Sequence, residues 1–199
     1  MSSIDILYWI NLKRAKSRRI HMERIFTHPF FTGKTIEHFS AYDWKIDNIM
    51  DWFKIRDCNE SNYERIKKNN KKLTPGEYAC LLSHLETIRR FSNSQYELAL
   101  IFEDDITMDY YKYWDKPFET IIKEAPEDWE ILQLCYISDN YVCNELYKTN
   151  NNYNDDIDNT YSCAAYIINK KAANKISDLY KNTSQFFWKN RNVVHNASR

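Results

Sequence analysis

Leu98-Ala99-Leu100-Ile101-Phe102-Glu103-Asp104-Asp105 is an apolar run of strand length that stops at three consecutive carboxylates. Five uninterrupted apolar residues call for burial on both faces, which a parallel sheet covered by helices provides. Ligands of such sheets bind beyond the carboxyl ends of the strands, and the acidic triplet stands at that end. Side-chain alternation sends Glu103 and Asp105 to one side of the strand and Asp104 to the other. Two carboxylates converging in a cleft repel, and stay ionised when a cation sits between them. Hard oxygen donors suit Mn²⁺ or Mg²⁺, with positions left for water or a diphosphate. An acidic turn that caps the next element has the same sequence, so the triplet alone leaves both readings open.

Outward from this strand, apolar runs alternate with helical periodicity. Residues 4–12 read as a strand ending near Asn11, and 13–26 as a helix with Ile20, Ile25 and Phe26 inward. A further strand is expected at 35–41, and 43–70 reads as one or two short helices and a loop. Thr74 caps a helix with Pro75 at its first position and Glu77 three residues on, a capping box. Tyr78, Leu81, Leu82, Leu85 and Ile88 then recur at helical spacing through Phe91. Beyond the triplet, 129–134 and 161–168 read as strands, 150–159 as an exposed loop and 170–181 as a helix. The basic run 65–72 is either a solvated helix end or a patch facing phosphate or acceptor. With no internal repeat and no linker, residues 1–199 read as a single α/β domain, a largely parallel central sheet flanked by helices.

Composition narrows the chemistry. Lys+Arg and Asp+Glu are equal at 28 each, so the chain lacks the basic field of non-specific nucleic-acid binding. Gly33 and Gly76 are its two glycines, which excludes a P-loop or a glycine-rich dinucleotide fingerprint. A phosphate held here is held by side chains, a metal or non-glycine amides. The five cysteines include no CxxC pair, and Cys80, Cys135 and Cys163 read as buried, inert thiols. No run approaches the roughly 20 apolar residues of a membrane helix. The N-terminus has no apolar leader core, and a cytoplasmic, reducing setting is expected.

Several blocks, taken together, resemble glycosyltransferase family 25, which includes bacterial lipooligosaccharide and procollagen galactosyltransferases. Ile10-Asn11-Leu12-Lys13-Arg14 followed by Arg18-Arg19 resembles its opening "INL-x-R" strand with an Arg pair, and Ala41-Tyr42-Asp43 its "A-x-D". Leu73, Thr74, Gly76, Glu77, Cys80, Ser83 and His84 fit "L-T-x-G-E-x-x-C-x-x-S-H" in order and spacing. Leu100 to Asp105 fits "L-I-x-E-D-D", Asp128 to Leu134 "D-W-D-I-x-x-L", and Ala165-Tyr166-Ile167-Ile168 with Ala172 the last strand and helix.

The resemblance implies an A-type nucleotide-sugar transferase fold, a metal-bound UDP-sugar and inversion at the anomeric carbon. It implies UDP-galactose or UDP-glucose as donor and a glycan, lipooligosaccharide or collagen-like acceptor. Asp105 and Glu103 would hold Mn²⁺ or Mg²⁺ on the diphosphate, with Asp104 the sugar or ribose contact and the two aspartates the catalytic pair. Asn11, Arg14 and Asp43 fall where the family's uridine pocket sits; a strand cap for Asn11 and a surface salt bridge for Arg14 are the plain alternatives. Val193-Val194-His195 is similar to the close of related transferase domains, which makes His195 the candidate third metal ligand. Glu77 is explained by the capping box, and His84 is either a buried, hydrogen-bonded histidine or a wall of the site. Trp114, Trp129 and Trp188 are candidates for stacking on acceptor, or core residues. Residues 182–187 lack the acidic residue usual in the family, leaving Asp139, Asp155, Asp156 and Asp158 as loop candidates for the general base. The rival readings are a degenerate member that binds UDP-sugar or acceptor without turnover, and a metal-dependent phosphohydrolase.

Overall fold

A computed structural model of the chain describes residues 4–47, 74–114, 116–135 and 162–181. In chain order these form β1 (Ile6–Asn11), α1 (Lys16–Ile25), a 3-10 turn at Pro29–Phe31, β2 (Ile36–Ser40) and α2 (Pro75–Ser92). Then follow β3 (Leu98–Glu103), a second 3-10 turn at Tyr111–Tyr113, α3 (Phe118–Glu124), β4 (Ile131–Gln133), β5 (Ala165–Asn169) and α4 (Lys170–Lys181). The basic run 65–72, the loop 150–159 and residues 182–199 lie outside the described residues.

The five strands lie in the order β2-β1-β3-β5-β4. β1 runs parallel to both β2 and β3, and β5 runs antiparallel to both β3 and β4. Four strands therefore share one direction, and the expected α/β architecture with a largely parallel sheet is the one observed. Ile10 pairs with Glu103 and Asn11 with Ser40, so β1, β2 and β3 end along one edge.

Period-2 alternation sorts the strand residues into two cores. Ile6, Tyr8 and Ile10 of β1, Ala99 and Ile101 of β3, and Tyr166 and Ile168 of β5 pack with Leu82, Leu85, Ile88 and Phe91 of α2. Ala172, Ala173 and Ile176 of α4 join the same layer. Leu7, Trp9, Leu98, Leu100, Phe102 and Ile167 turn to the opposite face, against Met22 of α1 and Phe118 and Ile122 of α3. Burial on both faces explains why these strands read as continuous apolar runs. Each fully buried side chain of this size contributes about 1.5–3 kcal/mol relative to exposure.

The capping box closes as expected: the Thr74 amide donates to Glu77 Oε2 at 2.5 Å and the Glu77 amide to Thr74 Oγ1 at 3.3 Å. α1 is phased differently from expectation. Met22 is its buried residue and Ile20 is 51% exposed. Ile25 and Phe26 do pack on the core with Met22, and Ile20 lies two residues from Met22, about 200° around the helix. The cysteines also depart from the buried reading, since Cys80 and Cys135 are exposed and Cys163 is half-buried. Trp129 packs on the second core, whereas Trp114 is 40% exposed and stacks on Phe118. Trp188 lies outside the described residues. No helix among the described residues is long and apolar enough to cross a membrane.

Candidate active site

Parallel pairing brings the end of β1 beside the end of β3, and with it Asn11 beside the acidic triplet. Asn11 is buried, and its Nδ2 donates to Asp104 Oδ2 at 2.5 Å and to the Ala15 carbonyl at 3.4 Å. Asp104 is also buried, and its other oxygen, Oδ1, accepts from Arg18 Nη1 at 2.6 Å. Two donors, one of them charged, compensate the desolvation of that carboxylate. The same Arg18 nitrogen stands 3.3 Å from Asp105 Oδ2. Its hydrogen bond to Asp104, reinforced by the charges of all three triplet residues and opposed by partial burial, raises the guanidinium above its ordinary value.

Alternation holds as far as the strand does. Ala99, Ile101 and Glu103 face α2, and Asp104 falls to the α1 side, where Arg18 is. β3 ends at Glu103, and Asp104 and Asp105 form a turn. The expected grouping of Glu103 with Asp105 therefore does not appear: Asp105 shares Arg18 with Asp104, while Glu103 Oε1 is paired with α2.

On α2, Cys80 and His84 stand one turn apart. His84 is buried, its Nε2 is 3.1 Å from Glu103 Oε1, and its Nδ1 is 3.0 Å from the hydroxyl of buried Tyr166. The Cys80 thiol donates to Glu103 Oε1 at 3.6 Å. The His84 hydrogen bond holds the Glu103 carboxyl below its ordinary range, against the opposing effect of burial. Both readings of His84 thus meet in one residue, since it is buried, hydrogen-bonded and part of the triplet's surroundings.

Beyond β2, Asp43 is buried, and Arg14 Nε donates to its Oδ2 at 2.5 Å. Asp43 Oδ1 accepts the Lys45 amide at 3.1 Å, and the Asp43 amide donates to Asp47 Oδ2 at 2.7 Å. The Arg14 hydrogen bond is the main reason the Asp43 carboxyl sits below its ordinary value. α2 fixes the approach to this residue: Ser83 Oγ accepts the Tyr42 amide at 3.0 Å and donates to the Ala79 carbonyl at 2.7 Å.

The structure thus places Asn11, Arg14, Asp43 and all three triplet residues along the carboxyl edge of β1, β2 and β3. His195, Asp139, Asp155, Asp156 and Asp158 lie outside the described residues. Sequence reading assigned no role to Arg18, although it stands in the quoted Arg pair, or to Ser83, and it read Cys80 as a buried, inert thiol, although both stand in the quoted α2 motif. For the helix residues the available signal was the spacing of Cys80 and His84, four residues apart and so on one helical face.

Of the three carboxylates, Asp105 is the one open to solvent. Asp105 presents a carboxylate 47% exposed, and the cationic partner of the two aspartates, Arg18, is itself 53% exposed.

The family model described as glycosyltransferase family 25 (LPS biosynthesis protein) matches residues 4–189. A "Glycosyltransferase 25 family member" of Drosophila melanogaster is 34% identical over 109 residues, covering 55% of this chain and 17% of the relative. "Procollagen galactosyltransferase 2" of Homo sapiens is 29% identical over 131 residues, 65% of this chain and 20% of the relative. "Procollagen galactosyltransferase 1-A" of Xenopus laevis is 24% identical over 143 residues, 66% and 21% respectively. The match therefore spans about a fifth of the length of these relatives.

Proposed function

The chain belongs to glycosyltransferase family 25, its α/β sheet fits the A-type nucleotide-sugar transferase fold, and from that premise we propose that it moves a hexose from a UDP-sugar to an acceptor hydroxyl. The donor is UDP-galactose or UDP-glucose, and the acceptor a glycan, a lipooligosaccharide or a collagen-like chain; galactose is the sugar for which the procollagen relatives are named. The observation that carries this reading is the acidic triplet 103–105 at the carboxyl edge of the parallel strands, with Asn11 and the Arg14–Asp43 pair at the adjoining strand ends. That edge is where sheets of this class bind nucleotides.

The transfer is a single displacement with inversion. The acceptor oxygen bonds to the anomeric carbon as the bond from that carbon to the diphosphate oxygen breaks, and the hydroxyl proton passes to a base. Mn²⁺ or Mg²⁺, held by Asp105, by Glu103 once its side chain turns from His84, and by His195 as third candidate, would supply charge neutralisation of the leaving diphosphate. Asp104 has one oxygen engaged by Asn11 and the other by Arg18, so it sets the shape of the turn and reaches sugar or ribose when one of these yields. Arg18 offers a mobile positive charge beside the diphosphate position. Asp43, ionised and held by Arg14, is an acceptor for an N–H of the base.

The test is calorimetric binding of a UDP-sugar panel with and without Mn²⁺, followed by release of UDP. One UDP-hexose should bind in a Mn²⁺-dependent manner and release UDP, and Asp105→Asn should weaken that binding at least tenfold. Unchanged affinity in Asp105→Asn removes the metal assignment. Binding without turnover, with or without acceptors, identifies a degenerate binding member, which the absence of a carboxylate at 182–187 favours. Cleavage of simple phosphate esters without preference for uridine identifies a phosphohydrolase.

A further inference from the structure

Where α2 passes the carboxyl end of β3, a thiol, an imidazole and a carboxylate converge. Cys80 and His84 are four residues apart on α2 and so share one helical face. Glu103 meets them from β3, with Oε1 at 3.6 Å from Cys80 Sγ and 3.1 Å from His84 Nε2. One ligand atom from each of the three lies within 4.8 Å of the other two. Bonds of about 2.0–2.3 Å to a tetrahedral zinc place its ligands about 3.3–3.5 Å from one another. The observed separations therefore close onto a cation with side-chain shifts of a few tenths of an ångström to about one ångström.

The surroundings complete the arrangement. The Tyr166 hydroxyl holds His84 Nδ1 at 3.0 Å, an outer partner of the kind that orients a ligating histidine and leaves Nε2 directed at the metal. Exposed Cys80 opens the cluster to solvent, and three protein ligands leave a fourth position for water. A sulfur and an imidazole among the donors favour zinc and its neighbours over Mg²⁺ or Mn²⁺.

We propose that Cys80, His84 and Glu103 form a binding site for a four-coordinate divalent cation of the zinc type. Its donors differ in softness from the exposed Asp105 carboxylate, and it does not depend on glycosyl transfer. On binding, the Cys80 thiol gives its proton to solvent as the sulfur–metal bond forms, so uptake releases a proton. Occupation would also fix Glu103 Oε1 on the α2 side, leaving the hard cation of the acidic turn to Asp105 and to whatever Glu103 Oε2 supplies.

The test uses Co²⁺ as a spectroscopic stand-in for zinc on the whole chain after chelator treatment. One equivalent should produce the tetrahedral visible bands and the thiolate-to-cobalt charge-transfer band, and Zn²⁺ should abolish both. Cys80→Ser should lose the charge-transfer band and weaken binding at least tenfold, whereas Cys135→Ser, at an exposed cysteine elsewhere, should keep both. Circular dichroism and thermal melting check that each variant stays folded, with Cys80→Ala as the second substitution. Absence of the charge-transfer band in the unaltered chain, or its persistence in Cys80→Ser and Cys80→Ala, overturns the proposal. Asp105-bound Mn²⁺ gives no sulfur band, so this outcome is independent of UDP-sugar binding.

Discussion

Asp43 shows how far a single neighbour sets the charge state of a candidate ligand. Arg14 holds its carboxyl below the ordinary value, so this ion pair contributes stability that is present above pH ~4 and lost as pH falls through the lowered folded value. Half of the pair is solvated, since Arg14 is 47% exposed, which limits the contribution to about 1 kcal/mol. Asp43→Asn should therefore lower the melting temperature modestly at pH 7 and flatten its decline below pH 4, as followed by circular dichroism. An acid-unfolding curve of the same steepness in the variant would show that the pair contributes nothing. The positions of Asn11, Arg14 and Asp43 at strand ends were legible in the sequence, because each follows directly on an apolar run. Their partners were not: Arg14 reaches across 29 residues and Asn11 across 93. No local pattern encodes which donor meets which carboxylate at such separations.

At the scale of elements, the start of α2 was the most legible feature and the phase of α1 the least. Thr74 and Glu77 satisfy each other's backbone donors within four residues, so the cap is decided by sequence alone. Thr74→Ala should cost about 1 kcal/mol in urea denaturation, within a range of about 0.5–2. Because Cys80, Ser83 and His84 all ride on this helix, with Cys80 nearest its start, fraying of its first turn should also weaken Co²⁺ binding more than UDP-sugar binding. Ser83, which holds the Tyr42 amide, lies further from the frayed end than Cys80. In α1 the choice between Ile20 and Met22 as anchor depended on the rotation of the helix against the sheet, which the neighbouring Phe31 and Phe102 help set. The triplet illustrates the same limit at a strand end: alternation placed Glu103 and Asp104 on opposite faces, and failed for Asp105 once the chain turned.

At the scale of the whole molecule, β3 is the axis of the structure. It lies between parallel β1 and antiparallel β5, is covered on both faces, and delivers the acidic turn. Ile101, wholly buried toward α2 and α4, should cost about 2–5 kcal/mol on change to Ala, read from urea denaturation. Ile20→Ala, at an exposed position, should stay within about 0.5 kcal/mol. Equal losses at the two positions would contradict the burial pattern on which the two-core description rests. The sheet order β2-β1-β3-β5-β4 inserts the last described strand between the third and the fourth. That insertion, made by an antiparallel strand, seats Tyr166 of β5 against His84 of α2.

By itself the sequence determined the α/β class, the strands that end at the ligand edge, the capped helix that starts at Thr74 and the resemblance to a family of transferases. These are properties of neighbours along the chain, where apolar spacing and capping chemistry act over a few residues. Only the tertiary structure decided that β5 enters between β3 and β4, that Arg18 bridges Asp104 and Asp105, and that Glu103 turns to Cys80 and His84. The Arg18–Asp104, Cys80–Glu103 and His84–Glu103 contacts join residues 86, 23 and 19 positions apart. They follow from strand register and helix packing, in which each pairing is selected by all the others at once.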